Sequence, residues 1–320
     1  MGYTNIKEKF IVNLPNISRI LMLVVIVAGI GIGSPYFFSL NNFFNVLNQS
    51  SLLLIISLAQ TFVILSGGLD LSIGSIVGLT GCLGASIAIL SGNDWVAILV
   101  ALVVGALLGL INGFLISKIN IPPFVVTYGM LMIGRGLTSG YMKFNVYYGL
   151  TDAYRYIGIG KIGMFPVLII FAVFIFLIFF FVQKYTKFGR SIYYIGNNSK
   201  AAYISGIQVK KTILIIYMIS GLLAGIGGFL YSARLNSADS ALGSGIELES
   251  IAAVIIGGTS FVGASGSVSF TIIGALIVIL LKNAMTLLGV NMFWQPFVIG
   301  LLIIVVVLID KLVGRERLSK

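Results

Sequence analysis

The sequence predicts an all-α protein: a polytopic membrane helical bundle of about ten transmembrane helices, with some broken or re-entrant segments. Hydrophobic residues make up 58% of the 320 residues, charged residues make up 9%, and the mean hydropathy is +1.10. Soluble domains typically have a charged fraction of about 25%. Since a span needs about 20 apolar residues, the chain has room for roughly eight to eleven helices and no large extramembrane domain. We therefore expect a single membrane-spanning domain over residues 1–320.

The apolar segments divide into ten predicted spans. Each is a mostly apolar run bounded by a polar, glycine-containing or proline-containing connection. The predicted spans are Ile17–Tyr36, Phe43–Leu65, Leu71–Leu90, Val96–Ser117, Pro122–Gly140, Gly163–Val182, Thr212–Tyr231, Leu248–Val262, Val268–Leu288 and Pro296–Asp310.

Basic residues decide the predicted orientation. With the N-terminus inside, fourteen of the twenty Lys and Arg residues lie on cytoplasmic segments, four lie outside, and two lie within or near spans. Cytoplasmic loops collect Lys and Arg, so both termini are predicted to be cytoplasmic. Lys7, Lys9 and Arg19 precede an apolar run as in a secretory signal. No convincing small-residue cleavage site follows, and we expect a retained first span.

Composition also excludes several classes of function. The net charge of +11 comes from basic residues at span ends, so we reject nucleic-acid binding and expect contact with membrane lipid. The chain has no histidine and a single cysteine, Cys82, in an apolar stretch. This excludes disulfides within the chain and a Cys/His metal site. No G-x-x-x-x-G-K-[S/T] phosphate loop occurs, so we expect another polypeptide to supply the energy.

The thirty-nine glycines are expected to let helices approach closely, because small residues permit tight packing where no hydrophobic drive exists between helices. Several of them recur at four-residue spacing along one helix face. These are Gly105, Gly109 and Gly113, Gly74 and Gly78, and Gly221 and Gly225.

One long polar segment, Gln183–Lys211, separates two apolar runs. It carries six Lys and Arg residues and no acidic residue, which places it in the cytoplasm. Asn197 and Asn198 are N-cap candidates, the next residues through Ser205 have room for about two helical turns, and Gly206 is suited to a helix C-terminus. We expect a short helix here that acts as a docking element on the inner face of the membrane.

A second informative stretch, Gly67–Ser75 (GGLDLSIGS), interrupts two apolar runs. Its glycines and serines predict a broken or re-entrant connection, because a carboxylate such as Asp70 is expensive in lipid. Asp70 and Ser72 have two interpretations. One is capping or structural pairing at the start of the next helix, and the other is contact with a solute.

A comparable interruption occurs at Gly257–Ser267 (GGTSFVGASGS). Both stretches begin with a glycine pair and end in Gly-Ser, which indicates an internal duplication with broken helices in corresponding places. Thr259 and Ser260 are therefore candidate pathway or structural residues.

Other polar residues lie within predicted spans. Arg135 and Lys282 have three interpretations: snorkelling to an interface, structural pairing, or a role in a solute pathway. Gln60, Asn112 and Tyr128 are candidates for hydrogen bonding, either between helices or to a polar solute.

Several separated motifs resemble the ribose-type sugar permeases of bacterial ABC importers. The resemblance runs from about Asn41 to Leu312, with the motifs in the same order. The motifs are GGLDLSIGS at 67–75, NIPPFVVTYGM and the following RG within 120–136, FGRSIYYIGNNSKAAYISGI at 188–207, GGTSFVGASGSVSFTIIGA at 257–275, and LLGVNMFWQPFVIGLLIIVVVLIDK at 287–311.

The resemblance implies a permease domain that is not an enzyme and that binds no cofactor. It implies a multi-pass protein of the bacterial cytoplasmic membrane and a dimer with a second permease chain, identical or paralogous. Two cytoplasmic ATPase subunits would carry ATP and Mg, and an extracytoplasmic sugar-binding protein would deliver the solute. The implied mechanism is alternating access of one pathway.

The resemblance also implies that the basic loop holds the coupling helix, over Asn198, Lys200, Ala201, Ala202, Ser205 and Gly206. The order of lysine, two alanines and glycine is similar to the Glu-Ala-Ala-x-x-x-Gly pattern that contacts the ATPase. Lys200 stands at the acidic position, which argues against a specific salt bridge there. Ala201, Ala202 and Gly206 would still provide a close-packed surface and a helix stop.

Two alternatives come from other classes of protein. A secondary carrier would move a sugar alone on an ion gradient, and a non-transporting scaffold would bind a cytoplasmic partner through the same loop. Ion-driven carriers more often show several acidic residues or ion sites along broken helices, and the ordered motifs favour the ABC permease.

Overall fold

The computed structural model describes residue 21 and residues 23–25, 27–143 and 145–318, with side chains described as far as residue 308. It is an almost wholly helical protein, which confirms the all-α prediction. The helices are α1 (residues 27–33), α2 (Leu40–Leu65), α3 (Ile73–Ser91), α4 (Asp94–Ser117), α5 (Pro123–Met142), α6 (Asp152–Ile159), α7 (Val167–Tyr185), α8 (Lys187–Asn197), α9 (Ser199–Ile204), α10 (Val209–Leu235), α11 (Ile246–Ile256), α12 (Val268–Leu287) and α13 (Trp294–Leu318).

Six of these helices, α2, α3, α4, α7, α10 and α12, are long and apolar enough to cross a membrane. The helical membrane bundle is therefore confirmed, and the count of ten spans stays a prediction. The first predicted span, Ile17–Tyr36, begins outside the described residues. The predicted span Leu248–Val262 is wrong in its extent, because α11 ends at Ile256 and the chain then leaves the helix.

Four two-residue strands flank the helices at one end of the bundle. β1 (Tyr147–Tyr148) pairs antiparallel with β4 (Ser237–Ala238), with Tyr147 opposite Ala238. β2 (Lys161–Ile162) and β3 (Phe165–Pro166) form a hairpin with Lys161 opposite Pro166. β1 lies in the connection before α6, β2 and β3 lie in the connection after it, and β4 follows α10.

The bundle has two distinct ends. At one, which we call the α9 end, the backbone N–H of Ala264 donates to the Leu65 carbonyl at 3.0 Å. At the other, the β1 end, the amide of Asn42 donates to Asn283 at 3.1 Å. The α9 end holds residues 66–72, 186–208 and 257–267, and the β1 end holds residues 145–166 and 236–238.

The core is built around α2. Residues 50–65 of this helix are all buried, on every side of the helix. A helix that is apolar all round belongs in the interior of a bundle rather than on its surface. Helices α7, α10, α11 and α12 pack around it.

Glycines bring α4 and α10 into backbone contact. A Cβ added at Gly105 would lie 2.9 Å from Gly225 Cα, and one at Gly109 would lie 2.9 Å from Gly221 Cα. Such close contact contributes dispersion energy between the helices. This energy matters in a membrane because no hydrophobic effect drives helices together in lipid. The predicted close packing at these glycines is confirmed. Gly74 and Gly78, by contrast, pack against the non-helical segment that precedes α11.

Adding one methyl group at this contact should destabilise the bundle. We expect Gly109→Ala to lower the midpoint of thermal unfolding in detergent, since overpacking costs about 1–3 kcal/mol. Gly136→Ala is the matched control, because nothing lies within 4 Å of a Cβ added at that helical glycine. Equal melting midpoints for the two variants would show that the α4–α10 contact accommodates the added methyl group without loss of stability.

Candidate functional site

The short helix predicted in the basic loop is present as α9. The Asn198 side chain accepts the backbone N–H groups of Lys200, at 3.1 Å, and Ala201, at 3.0 Å. At the other end Gly206 has φ +84°, and the Ile207 N–H donates to the carbonyl of Ala202 at 3.0 Å. The N-cap and the glycine stop are confirmed as predicted from the sequence.

The exposed face of α9 differs from the predicted one. Ala202 is only 4% exposed, so it packs within this chain and offers no contact surface. Ala201 and Lys200 are exposed, while Ser205 donates its hydroxyl to the Ala201 carbonyl at 2.9 Å. Sequence reasoning missed the large apolar side chains that α9 presents. These are Tyr203, 72% exposed, and Ile204, 85% exposed.

Helix α8 precedes α9 and was also missed, since its residues were treated as a polar loop. Gly189, Ile192 and Ile195 are buried along one face of it. Their spacing of three residues is the helical signal that the sequence offered. The Thr186 hydroxyl caps the helix by accepting the Gly189 N–H at 3.0 Å.

Helix α8 contacts both interruptions of the helical bundle. The Tyr193 hydroxyl donates to the carbonyl of Gly266 at 2.7 Å. Burial raises the pKa of Tyr193, so the phenol remains a donor. A Cβ added at Gly196 would lie 2.8 Å from the backbone nitrogen of Ala264, and it would also meet the carbonyl of Leu65. The α8–α9 unit therefore lies directly against the ends of two broken helices.

The two interruptions begin with the same helix cap. Gly67 has φ +81° and Gly258 has φ +87°, and each lies two residues after the last residue of a helix. The shared cap aligns Gly67, the first glycine of its pair, with Gly258, the second glycine of its pair. This alignment is shifted by one residue from the one that superposes the two glycine pairs. The internal duplication remains a hypothesis. The closing bonds run from Gly68 N to Val63 O, at 3.0 Å, and from Thr259 N to Val254 O, at 3.1 Å.

Asp70 lies fully buried in the first interruption. One carboxylate oxygen accepts the N–H of Ser72 at 2.9 Å and its hydroxyl at 2.6 Å, and the other accepts the Ser220 hydroxyl at 2.7 Å. Asn112 donates to the Ser72 hydroxyl at 2.8 Å. The network ties the interruption to α4 and α10, so the geometry favours structural pairing over solute contact for Asp70, Ser72 and Asn112.

The remaining uncharged candidates do not form one cluster. Gln60 and Thr259 are buried, and their side-chain polar atoms have no hydrogen-bond partner among the described residues. The backbone N–H of Ser260 donates to the Ser265 carbonyl at 2.8 Å, inside the second interruption. Tyr128 is 48% exposed on α5 and stacks on Phe124.

Arg135 and Lys282 are paired with acidic residues, as one of the three interpretations predicted. Lys282 Nζ lies 2.7 Å from Glu249 Oε1, and Arg135 lies 4.0 Å from Glu247 Oε2. Arg135 also donates to the carbonyl of Leu242 at 2.7 Å. Both glutamates stand in the first turn of α11. Sequence reasoning named Asp70 as the main acidic residue of the spans and missed these two.

A cleft of about 640 Å³ opens at the α9 end. The loop before α3, the connection from α4 to α5 and the α8–α9 junction form its walls. Its lining includes Gly67, Pro122, Asn198, Lys200 and Tyr217. Helix α9 and the first interruption thus share one solvent-accessible space.

Residues 42–307 match the family described as the branched-chain amino acid transport system / permease component. This chain belongs to that family. It is 39% identical over 295 residues to the ribose import permease protein RbsC of Escherichia coli (strain K12), covering 91% of this chain and 92% of that protein. No solved structure matches the chain.

Two further relatives carry the names of other sugars. The D-allose transport system permease protein AlsC of Escherichia coli (strain K12) is 37% identical over 297 residues, covering 92% of this chain and 91% of that protein. The galactose/methyl galactoside import permease protein MglC of Haemophilus influenzae is 34% identical over 315 residues, covering 92% and 94%. All three alignments span nearly the full length of both chains.

Removing the Asp70 carboxylate should test its structural role. Asp70→Ala leaves the Ser220 hydroxyl and the Ser72 N–H without their partner, and each unsatisfied buried group costs about 1–3 kcal/mol. We expect a strong loss of folded protein and a lower melting midpoint in detergent. Ser220→Ala removes a single bond and should cost clearly less. If the two variants were equally stable, the network would not be what holds the interruption in place.

Proposed function

We propose that this chain is the transmembrane permease subunit of an ATP-driven ABC importer and forms the alternating-access pathway for a sugar or sugar-like solute. The observation that carries the proposal is the α8–α9 unit, which exposes Tyr203 and Ile204 at its tip and contacts both helix interruptions at its base. The names of the relatives support the solute class, since they refer to ribose, allose and galactose.

The proposed assembly has four kinds of component. A second permease chain completes the pathway, two ATPase domains bind ATP and Mg in the cytoplasm, and an extracytoplasmic binding protein delivers the solute. The α9 end faces the cytoplasm in this assembly, and both termini lie there. The excess of Lys and Arg in the connection between α7 and α10 supports this orientation.

The proposed mechanism uses α9 as the docking element of the ATPase. A partner can shift the pathway between two states only by contacting them differently. Tyr203 and Ile204 provide the surface for that contact, since burial of large apolar side chains contributes most to such interfaces. Movement of α9 carries α8 with it, and α8 contacts the end of α2 and the segment just before α12.

Removing the apolar tip of α9 should uncouple the chain from its ATPase. We expect a Tyr203→Ser, Ile204→Ser double variant to fold normally, because both side chains are exposed, and to lose copurification of the ATPase subunits from detergent extracts. Tyr148→Ser with Met164→Ser is the matched control, since these side chains are equally exposed at the β1 end. Retention of the ATPase by the α9 variant would refute the docking role.

Weakening the contact between α8 and the second interruption should impair transmission. We expect Tyr193→Phe to keep the ATPase bound and to reduce the stimulation of ATP hydrolysis by the loaded binding protein. One hydrogen bond of about 0.5–1.5 kcal/mol is lost. Tyr194→Phe is the control, because the neighbouring ring is 60% exposed. Equal stimulation in both variants would show that the Tyr193 bond carries no coupling.

A further inference from the structure

The segment between α10 and α11 descends deep into the bundle from the β1 end. Its Gly243 carbonyl lies 2.7 Å from a Cβ built at Gly74, in the first turn of α3. Further along α3, Gly81 packs on Gly228 of α10, whose helix continues to Leu235. Gly74 is seven residues before Gly81 and Leu235 is seven residues after Gly228, so each interval corresponds to about 10 Å of helix.

The segment therefore drops by about 20 Å, more than half of a hydrocarbon core of about 30 Å. Helix α11 starts at this depth, with Glu247 and Glu249 in its first turn. Their partners Arg135 and Lys282 reach them from α5 and α12. Both ion pairs are therefore enclosed by the bundle, with side chains no more than 24% exposed, and charged side chains inside a membrane bundle commonly mark a solute pathway.

The Glu249–Lys282 pair lines a cavity. A cavity of about 300 Å³ opens from the β1 end along the descending segment. Asp239 and Ser244 line it, and Glu249, Lys282 and Tyr231 line it as well. Glu247 and Arg135 are not part of its lining. The volume is at the small end of the range of ligand sites, about 300–1,000 Å³, which suits a single small ring rather than an extended molecule.

The chemistry of the lining fits hydroxyl groups. A hydroxyl donates and accepts, so it can bond to the Glu249 carboxylate and to the Lys282 ammonium at the same time. The two charges of the pair compensate each other at 2.7 Å. Asp239, the other charged residue of the lining, is exposed and accepts the Ala241 N–H at 2.8 Å, so the pair itself selects for neither an anion nor a cation. Leu235, Leu242 and Ile246 supply apolar contacts for the C–H face of a ring.

We propose that this cavity, at the Glu249–Lys282 pair, is a binding site for one neutral polyhydroxylated solute, entered from the β1 end. The inference rests on the proposed function, since such a site would hold the sugar between its delivery and its release to the cytoplasm. It goes further by naming the site and the class of solute that the site accepts.

The first experiment measures uptake by the assembled importer in proteoliposomes, with labelled D-ribose, D-allose and D-galactose as probes. We expect Glu249→Gln to raise the KM of uptake by about tenfold or more, because a hydrogen bond to a charged group is lost. The matched control is Asp152→Asn, which removes the same charge from an exposed ion pair with Arg155 outside the cavity and should leave the KM unchanged. Equal effects of the two variants on KM would overturn the proposal.

The second experiment leaves the ion pair intact and does not depend on transport. In a Cys82→Ser background, Ser244→Cys places a thiol on the exposed cavity wall, and Ser91→Cys places one at the end of α3 outside it. The neutral sugars should slow the reaction of a small polar thiol reagent at residue 244 and have no effect at residue 91. Protection by none of the sugars, or better protection by D-glucuronate or D-glucosamine, would refute the site.

The outcomes separate the two proposals. Wild-type complex that takes up none of the sugars in an ATP-dependent manner would refute the proposed function, whatever the thiol at residue 244 reports. Wild-type uptake with no protection at residue 244 and no change in Glu249→Gln would leave the importer standing and remove the site.

Discussion

Satisfaction of the backbone at two broken helices is the constraint on which the rest of this structure depends. Inside a bilayer no water is available to bond an N–H or a carbonyl that a helix leaves free. Here α2 and α11 both end among packed helices at the α9 end of the bundle, and each ends in a glycine cap that returns two N–H groups to the last turn. The backbone groups that those caps leave unbonded must be bonded by side chains from other helices.

Several polar side chains of the bundle bond backbone groups at the breaks. Asp70 accepts the N–H of Ser72 just before α3, and Gln183 accepts the Val268 N–H at 3.1 Å where α12 begins. The Tyr193 hydroxyl donates to the Gly266 carbonyl in the second break. Since Gln183 and Tyr193 belong to the end of α7 and to α8, the segment that carries α9 completes the second break. Movement of that segment therefore changes backbone hydrogen bonds at this break, which is a direct physical route from the surface to the interior.

Local features of this arrangement were predictable from the sequence, and features that depend on tertiary packing were not. The caps of α9 follow from Asn198 and Gly206, because capping is decided within a few residues. The close approach of α4 and α10 follows from glycines at four-residue spacing. The burial of Ala202 does not follow, since a six-residue helix has no periodicity that identifies its inner face. The partners of Arg135 and Lys282 do not follow either, because the pairing of α11 with α5 and α12 depends on tertiary packing.

The two glutamates of α11 also show why a buried ion pair is weak evidence for stability by itself. Both lie at the positive end of the helix dipole, where a carboxylate is favourable in either case. Both nevertheless bring a cation out of water, and an apolar pair of similar size would commonly hold the helix as well or better. Glu247 has a structural justification, because its partner Arg135 also binds the carbonyl of Leu242 and fixes the descending segment. Glu249 and Lys282 make no such bond to the backbone of that segment among the described residues and face the cavity instead. The cost of burying that second pair inside the bundle is therefore best explained by what enters the cavity beside it.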